Sequence, residues 1–385
     1  NGKCSRNTRT LWWAGAIPES RRRLRRPPLP AKKQQIKKRS LARRLTYSLI
    51  AGIFFLGLCL GLAEIATRLF YHPSPHFQTA DLDPELGWRP KADYSIQQTS
   101  YSEDGAAFPA HYQTGRDGFR EFGDPESDRP KVWFIGDSFT QAVEVSNDRT
   151  FYRLLRDSLN FELFAFGQAG YGFLQEFLIF DRYFDLIGPD LVVWQTCDND
   201  FIDNHLELER ESAYNPRLYR PYLTAEGTMV WDQSSGLPGW LRRSRFLGLL
   251  DRKWHELRLK RAVARNQVAE SYVPERGRAY DKFDESVKIT EQLVRKIAER
   301  TPDSVRVVAF SASAYQPQLQ EMERIFTEAG LPFFPGPAHA INTAVANGEV
   351  ARTGDRFHWN ELGHRRVAEA LQEKLRPYFT EWNDK

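Results

Sequence analysis

The sequence predicts an α/β domain built on a parallel sheet with helices on both faces, carried by a single membrane-spanning helix. Two observations lead there. From residue 131 onward, short apolar runs of strand length alternate with longer segments of helical period, the rhythm of a sheet whose parallel neighbours are joined by helical crossovers. Upstream, Leu45–Ala63 runs for 19 residues without a charge. At about 1.5 Å per residue it covers roughly 28 Å, close to a bilayer's hydrocarbon thickness.

Charge divides the 385 residues into unlike parts. Of 54 Lys/Arg and 50 Asp/Glu, 15 and one (Glu19) fall in residues 1–44, leaving 39 and 49 for the rest; the tail is +14 and the remainder −10. Rich in charge and proline and poor in apolar periodicity, residues 1–44 read as a disordered tail. The positive-inside rule puts that tail in the cytoplasm, near anionic lipid headgroups, and the domain on the periplasmic, extracytoplasmic side of the inner (cytoplasmic) membrane. An acidic body argues against nucleic acid as a partner. Residues 45–66 are expected to be a retained anchor. A signal peptide cleaved after Gly61-Leu62-Ala63 and a buried core helix are the alternatives. Gly57 and Gly61 form a small-xxx-small pair that can mark a helix-dimer face, and Glu64 and Arg68 are spaced for an i,i+4 ion pair. The three cysteines, Cys4, Cys59 and Cys197, fall in different regions, so no disulfide framework is implied.

Residues 72–130 are Pro-, Asp- and Ser-rich with isolated aromatic pieces (LGWRP at 86–90, DGFREF at 117–122). They read as an extended lead-in that packs along the domain rather than as a domain. The domain proper is expected over 131–379. Its strands are Val132–Ile135, Leu163–Phe166, Leu191–Gln195, Val305–Phe310 and Leu331–Phe334. Helices are expected over Asp148–Leu159, Leu174–Leu186, Glu285–Arg300, Pro317–Ala329 and Glu361–Leu375, with Pro377 ending the last. Residues 201–284 interrupt the rhythm with a hairpin turning at Glu226-Gly227 and a basic amphipathic helix around Arg245–Arg265. An insertion there can wall a substrate site or form a solvated cap.

Ligands of open parallel sheets bind beyond the carboxyl ends of the strands, so the polar residues just past each strand are the candidates. Ser138 follows the first strand, in KVWFIGDSFTQ; by itself a serine there serves as nucleophile or as helix N-cap. A glycine loop, Gly167 to Gly172, follows the second strand. Cys197-Asp198-Asn199-Asp200 follows the third, and Asp355 to Asn360 follows the fifth. These residue types fit acyl transfer: Ser138 attacks a carbonyl, His358 takes its proton, and Asp355 fixes the imidazole's tautomer. The N–H groups of Ser138 and Gly170 with the Asn199 amide can form an oxyanion hole. Asp137 and Asp200 are expected to support the loops by bonding their backbone, Asn360 to cap the last helix, and His364 to be structural. Cys197 reads as a small buried hydrophobe. The other histidines lack ligand spacing and no phosphate loop is present, so neither a metal nor a cofactor is expected.

In these blocks the chain resembles the SGNH (GDSL-type) hydrolases: Gly136-Asp137-Ser138, Gly170 in GQAGYG, Asn199-Asp200, and Asp355-x-x-His358, in that order over residues 131–379. The GW and DGFR lead-in is similar to that of membrane-anchored bacterial members. Cys197 stands where the family usually has glycine. The resemblance implies a flavodoxin-like three-layer fold on a five-stranded parallel sheet, and hydrolysis of esters, often O-acyl groups on carbohydrates. The expected reaction is therefore removal of O-acyl groups, acetyl above all, from a cell-envelope or exported polysaccharide, the substrate being an acylated carbohydrate or other ester. The same residues serve acyl transfer to a sugar hydroxyl, and the same fold can be kept for binding alone.

Overall fold

The computed structural model describes residues 41–71, 79–214, 218–232 and 241–383. Residues 1–40 of the expected disordered tail lie outside the described residues. The chain divides into two units, Asn1–Cys59 and Leu60–Lys385, and the second contains the sheet. Helix α1 (Leu41–Phe70) is long and apolar enough to cross a membrane, and its side chains from Leu45 to Leu62 are exposed. The expected Glu64–Arg68 ion pair is present at 2.7 Å.

Where the sequence suggests an extended lead-in, the structure has five short strands. β1 (Ala80–Asp83) pairs antiparallel with β2 (Gly87–Pro90), and β3 (Ser95–Tyr101) with β4 (Ala107–Gln113). β5 (Glu121–Phe122) joins the main sheet. These strands are short, mix polar and apolar residues, and except for the buried β2 are largely exposed or half-buried, so they lack the apolar alternation that marks a strand in sequence.

The domain then runs β6 (Lys131–Gly136), α2 (Ser138–Gln141), α3 (Phe151–Leu159), β7 (Glu162–Gly167), α4 (Phe173–Ile187), β8 (Leu191–Thr196), α5 (Asn199–Asp203) and α6 (Leu206–Arg210). The insertion supplies the hairpin β9 (Arg220–Leu223) and β10 (Met229–Asp232), then α7 (Arg245–Val263) and α8 (Ala269–Arg276). The chain closes with α9 (Asp281–Arg300), β11 (Arg306–Ser311), α10 (Gln318–Glu328), β12 (Phe333–Phe334), α11 (Gly336–Ala346) and α12 (Glu361–Asn383).

Strand order is β12-β11-β8-β6-β7-β5. The first five are parallel, as expected. The sixth, β5, is antiparallel to β7 and corrects the five-stranded expectation. A two-residue strand shows no period in sequence; here it is fixed by Phe122, whose ring meets Phe119 and Phe164 edge to face.

Alternate strand residues go to opposite faces. Trp133, Ile135, Trp194 and Ala309 pack with α4, α9 and α10, whereas Phe134, Ala165, Val193 and Phe310 pack with α3, α11 and α12. The result is a three-layer α/β/α fold. Each buried aromatic or large aliphatic side chain in these layers stabilises it by roughly 1.5–3 kcal/mol.

One boundary differs. Pro377 does not end α12, which continues to Asn383. The missing N–H removes one helical hydrogen bond, and this is offset by Phe379, which is buried and stacks on Phe161 at 5.4 Å.

Candidate active site

The chain leaves β6 for β7 on one side and returns to β8 on the other. The carboxyl end of β6 is thus a switch point, flanked by the loops after β7 and β8. Ser138 stands there as the first residue of α2. The N-cap of that helix is Asp137, whose Oδ1 accepts from Phe139 N at 2.9 Å. Capping therefore falls to the neighbour, and the Ser138 hydroxyl is left for another partner. The turn is tight: a Cβ on Gly167 would lie 2.3 Å from Gln141 N, so only glycine lets the end of β7 approach it.

That partner is His358. Its Nε2 lies 2.8 Å from Ser138 Oγ and its Nδ1 2.6 Å from Asp355 Oδ2. Asp355 is held in turn by its other oxygen, Oδ1, which accepts from Thr353 Oγ1 at 2.8 Å, Phe357 N at 2.8 Å and His358 N at 3.0 Å. A turn with Arg356 in the left-handed region (φ 63°) brings aspartate and histidine together three residues apart. The arrangement can carry a proton from the hydroxyl onto the ring while the carboxylate steadies the ring's other N–H.

Electrostatics around the ring are strongly negative. Burial opposes a charged imidazole, but the carboxylates of Glu144, Asp355 and Asp137 outweigh it and push His358 up to about 9. Glu144 Oε1 is 4.0 Å from Nδ1, a neighbour that no motif in the sequence announces. Burial raises Asp355, but the bond and charge of His358 outweigh it and hold its carboxyl well below the usual range. Burial raises Asp137 to about 6 despite its hydrogen bonds. The ligand atoms of Glu144, Asp355 and His358 lie within 4.8 Å of one another. A cation there would have to displace existing bonds, because Asp355 and Ser138 occupy both ring nitrogens.

Gly170 lies on the loop after β7 with φ 76°, a conformation that favours glycine. Asn199 opens α5 after β8, and its Nδ2 donates one proton to Asp203 Oδ2 at 2.8 Å, leaving the second. Ser138, as first residue of a helix, has an N–H without an intrahelical acceptor. The other expected residues have structural partners. Asp200 Oδ2 accepts from Cys197 N at 2.8 Å, Asn360 Oδ1 caps α12 through Gly363 N at 3.0 Å, and His364 is buried with its ring stacked on Phe151. Burial drives the His364 imidazole down to about 3, which keeps it neutral. Cys197 is buried in the cluster containing Phe139 and Trp359. Its side chain therefore enters the core rather than the oxyanion loop, and burial raises its thiol far above the ordinary value.

Several polar residues that position these loops carry no sequence signature. Buried Arg220 donates from Nη2 to Gly170 O at 2.5 Å and pairs with Asp203 at 3.4 Å and Glu209 at 3.7 Å. Gln141 Oε1 accepts from Ala169 N at 2.9 Å, and Gln195 Oε1 accepts from Thr140 Oγ1 at 2.9 Å. The lead-in also reaches three of the loops around the site. Trp88 Nε1 donates to Ala169 O at 3.1 Å, and Arg120 of the DGFR piece donates to Ala142 O and Val145 O, both at 2.7 Å. Gly354 N donates to Tyr101 O at 2.7 Å beside Asp355. The two sequence-visible aromatic pieces are thus buttresses of the site.

A cavity of about 210 Å³ is lined by Phe139, Tyr315, Asn342, Arg352, Arg356 and Phe357, and the rings of Phe139 and Phe357 also meet that of His358. A larger one, about 400 Å³, lies among Pro274, Pro317, Glu323 and His339 and includes none of the residues above. Chemistry favours the smaller.

The sequence matches the family described as GDSL-like Lipase/Acylhydrolase over residues 132–371, more than half of the chain. Solved structures similar to it include an acetylxylan esterase from Geobacillus stearothermophilus, at 12% identity over 65% of this chain and 94% of that one (TM-score 0.35). A psychrotrophic esterase from Pseudoalteromonas sp. is similar at 10% identity, over 65% and 98% (TM-score 0.37). A lipase/acylhydrolase from Enterococcus faecalis is similar at 10% identity, over 65% and 96% (TM-score 0.36). A search of curated proteins finds no match.

Proposed function

This chain belongs to the family of GDSL-like lipases and acylhydrolases and is a serine ester hydrolase; from that premise we propose that it removes O-acyl groups, acetyl above all, from a cell-envelope or exported polysaccharide. It works from the outer face of the cytoplasmic membrane, tethered by α1 and with the basic tail inside. Ser138 Oγ attacks the acyl carbon as its proton passes to His358 Nε2, and Asp355 stabilises the imidazolium. The N–H groups of Ser138 and Gly170 and the Asn199 amide receive the oxyanion. The imidazolium returns the proton to the departing sugar oxygen. Water then attacks the acyl-serine, giving its proton to His358, and the carboxylic acid leaves as Ser138 recovers its hydrogen.

The observation that carries this reading is the unbroken chain Ser138–His358–Asp355, at 2.8 and 2.6 Å. The polysaccharide is supported by the cavity that Phe139 and Phe357 line, where exposed rings of Tyr315 and Phe357 stand with two guanidinium groups, a lining suited to sugar rings and their polar substituents. The full chain in detergent micelles should release acetate from an O-acetylated polysaccharide, measured by an enzymatic acetate assay. If acetate stays bound and appears on an added sugar acceptor, the protein is a transferase; if neither occurs while a small chromogenic acetate ester is cleaved, the polysaccharide is wrong.

His358 must be neutral to act as base, and its resting value near 9 makes the free enzyme mostly imidazolium at neutral pH. kcat/KM should therefore rise with pH up to about 9. Glu144→Gln removes one of the charges that favour the imidazolium. The rise should move to lower pH by about one unit or more, with higher kcat/KM at pH 7. An unchanged profile in the variant contradicts the role given to Glu144.

A further inference from the structure

We infer that α7 is an interfacial helix that lies along an anionic lipid surface beside the outer end of α1 and sets the orientation of the catalytic domain on the membrane. The inference rests on the reading of α1 as an anchor. Glu64 is the first charged residue after the uncharged run Leu45–Ala63, and it does more than pair with Arg68. Its carboxylate accepts from Ser244 Oγ at 2.7 Å, Arg245 N at 3.1 Å and Phe246 N at 2.9 Å, the opening N–H groups of α7. Beside it, Arg68 Nη2 donates to Arg243 O at 3.4 Å, and the Arg252 guanidinium stands 5.4 Å from the Tyr71 ring centre. A charged group at the end of an apolar span sits at the water interface. The N-terminus of α7 is fixed to that level.

The outward face of α7 has the composition such a position needs. Leu250, Trp254 and Leu257, at i, i+4 and i+7, are 48, 60 and 52 % exposed, an apolar stripe that no described residue covers. Lys253 and Lys260 flank it on one side and Arg258 on the other, and Arg261 ends the stripe itself one turn beyond Leu257, all exposed. Over Arg245–Val263 there are six Lys/Arg against two acids, in a body that is otherwise acidic. Apolar side chains enter the boundary of the acyl chains, an interfacial Trp suits the headgroup level, and the long basic side chains reach up to lipid phosphates. A water-facing helix gains nothing from three exposed large apolar residues in one stripe. An acidic bilayer surface satisfies both the stripe and its flanks.

The test uses the full chain with Trp254→Cys in a Cys4→Ser, Cys59→Ser background, since Cys197 is buried. The cysteine carries a polarity-sensitive NBD label, and the protein is reconstituted into vesicles of phosphatidylcholine with about a third phosphatidylglycerol. Leu257→Cys serves as a second label site and Lys374→Cys, exposed on α12, as the aqueous control. The expected result is blue-shifted emission and several-fold weaker iodide quenching at 254 and 257 than at 374. High salt and a Lys253→Glu, Lys260→Glu, Arg261→Glu variant should reduce that shielding. If the protein floats with vesicles but 254 and 257 are quenched like 374, α7 does not lie on the membrane and the inference fails while the anchor stands. If it does not float, the anchor reading fails and takes the inference with it. Shielding by soluble polygalacturonate and not by vesicles overturns the inference in favour of a polysaccharide contact.

Discussion

Replacing Ser138 by alanine is expected to lower kcat on an acetyl ester by roughly 10⁵- to 10⁶-fold, about 7–8 kcal/mol of barrier. The reason is geometric. Among the described residues only Ser138 Oγ hydrogen-bonds His358 Nε2, at 2.8 Å, and without it the covalent step has no nucleophile. Residual turnover should come from water in the same oxyanion environment. Because Asp137, not Ser138, caps α2 through Phe139 N, the substitution should leave thermal unfolding nearly unchanged. Steady-state kinetics with calorimetry on the same sample checks both. A loss of activity that tracks a loss of folded protein would mean the serine is structural.

Arg220→Met should be the most damaging change to stability outside the apolar core, by about 3–5 kcal/mol. The guanidinium is fully buried between Asp203 and Glu209, lies 4.8 Å from the Trp88 ring centre and donates to Gly170 O. Removing it strands two buried carboxylates that burial already pushes up, Asp203 to about 7. Losing the cation raises both further. A folded-state pKa above the unfolded one means the native state binds more protons between the two values, so stability falls as pH rises through that window. The variant should thus lose stability more steeply than the wild type from pH 5 to pH 8, in urea titrations. It should also lose activity, because the Gly170 loop loses its clamp. A loss independent of pH would contradict the charge argument.

How much of this was legible in the sequence follows from the physics of each part. Parallel strands are buried on both faces, so Val132–Ile135 and Leu191–Trp194 read as uninterrupted apolar runs, and the strands expected there match β6 and β8 to within a residue or so at either end. Ser138, Asp355 and His358 were visible because they stand just past strand ends or in a short fixed spacing. By contrast, β5 pairs over two residues, and Pro377 sits inside α12 because Phe379 is packed beyond it; neither long-range contact has a local mark. Arg120, Arg220, Gln141 and Gln195 show the same limit. A buried arginine with distant partners has the same letter as a solvated one. Glu144 approaches His358 from 214 residues away in the chain, whereas Cys197 lies buried among Phe139 and Trp359, as its residue type suggests.

The most direct test of the central claim is to treat the full-length protein with a serine-directed phosphonate ester and locate the adduct by peptide mass spectrometry. Ser138, activated by His358, should carry the phosphonyl group stoichiometrically in the wild type and should remain unmodified in His358→Ala. Equal labelling of Ser138 in both proteins, or an adduct on another serine, would contradict it.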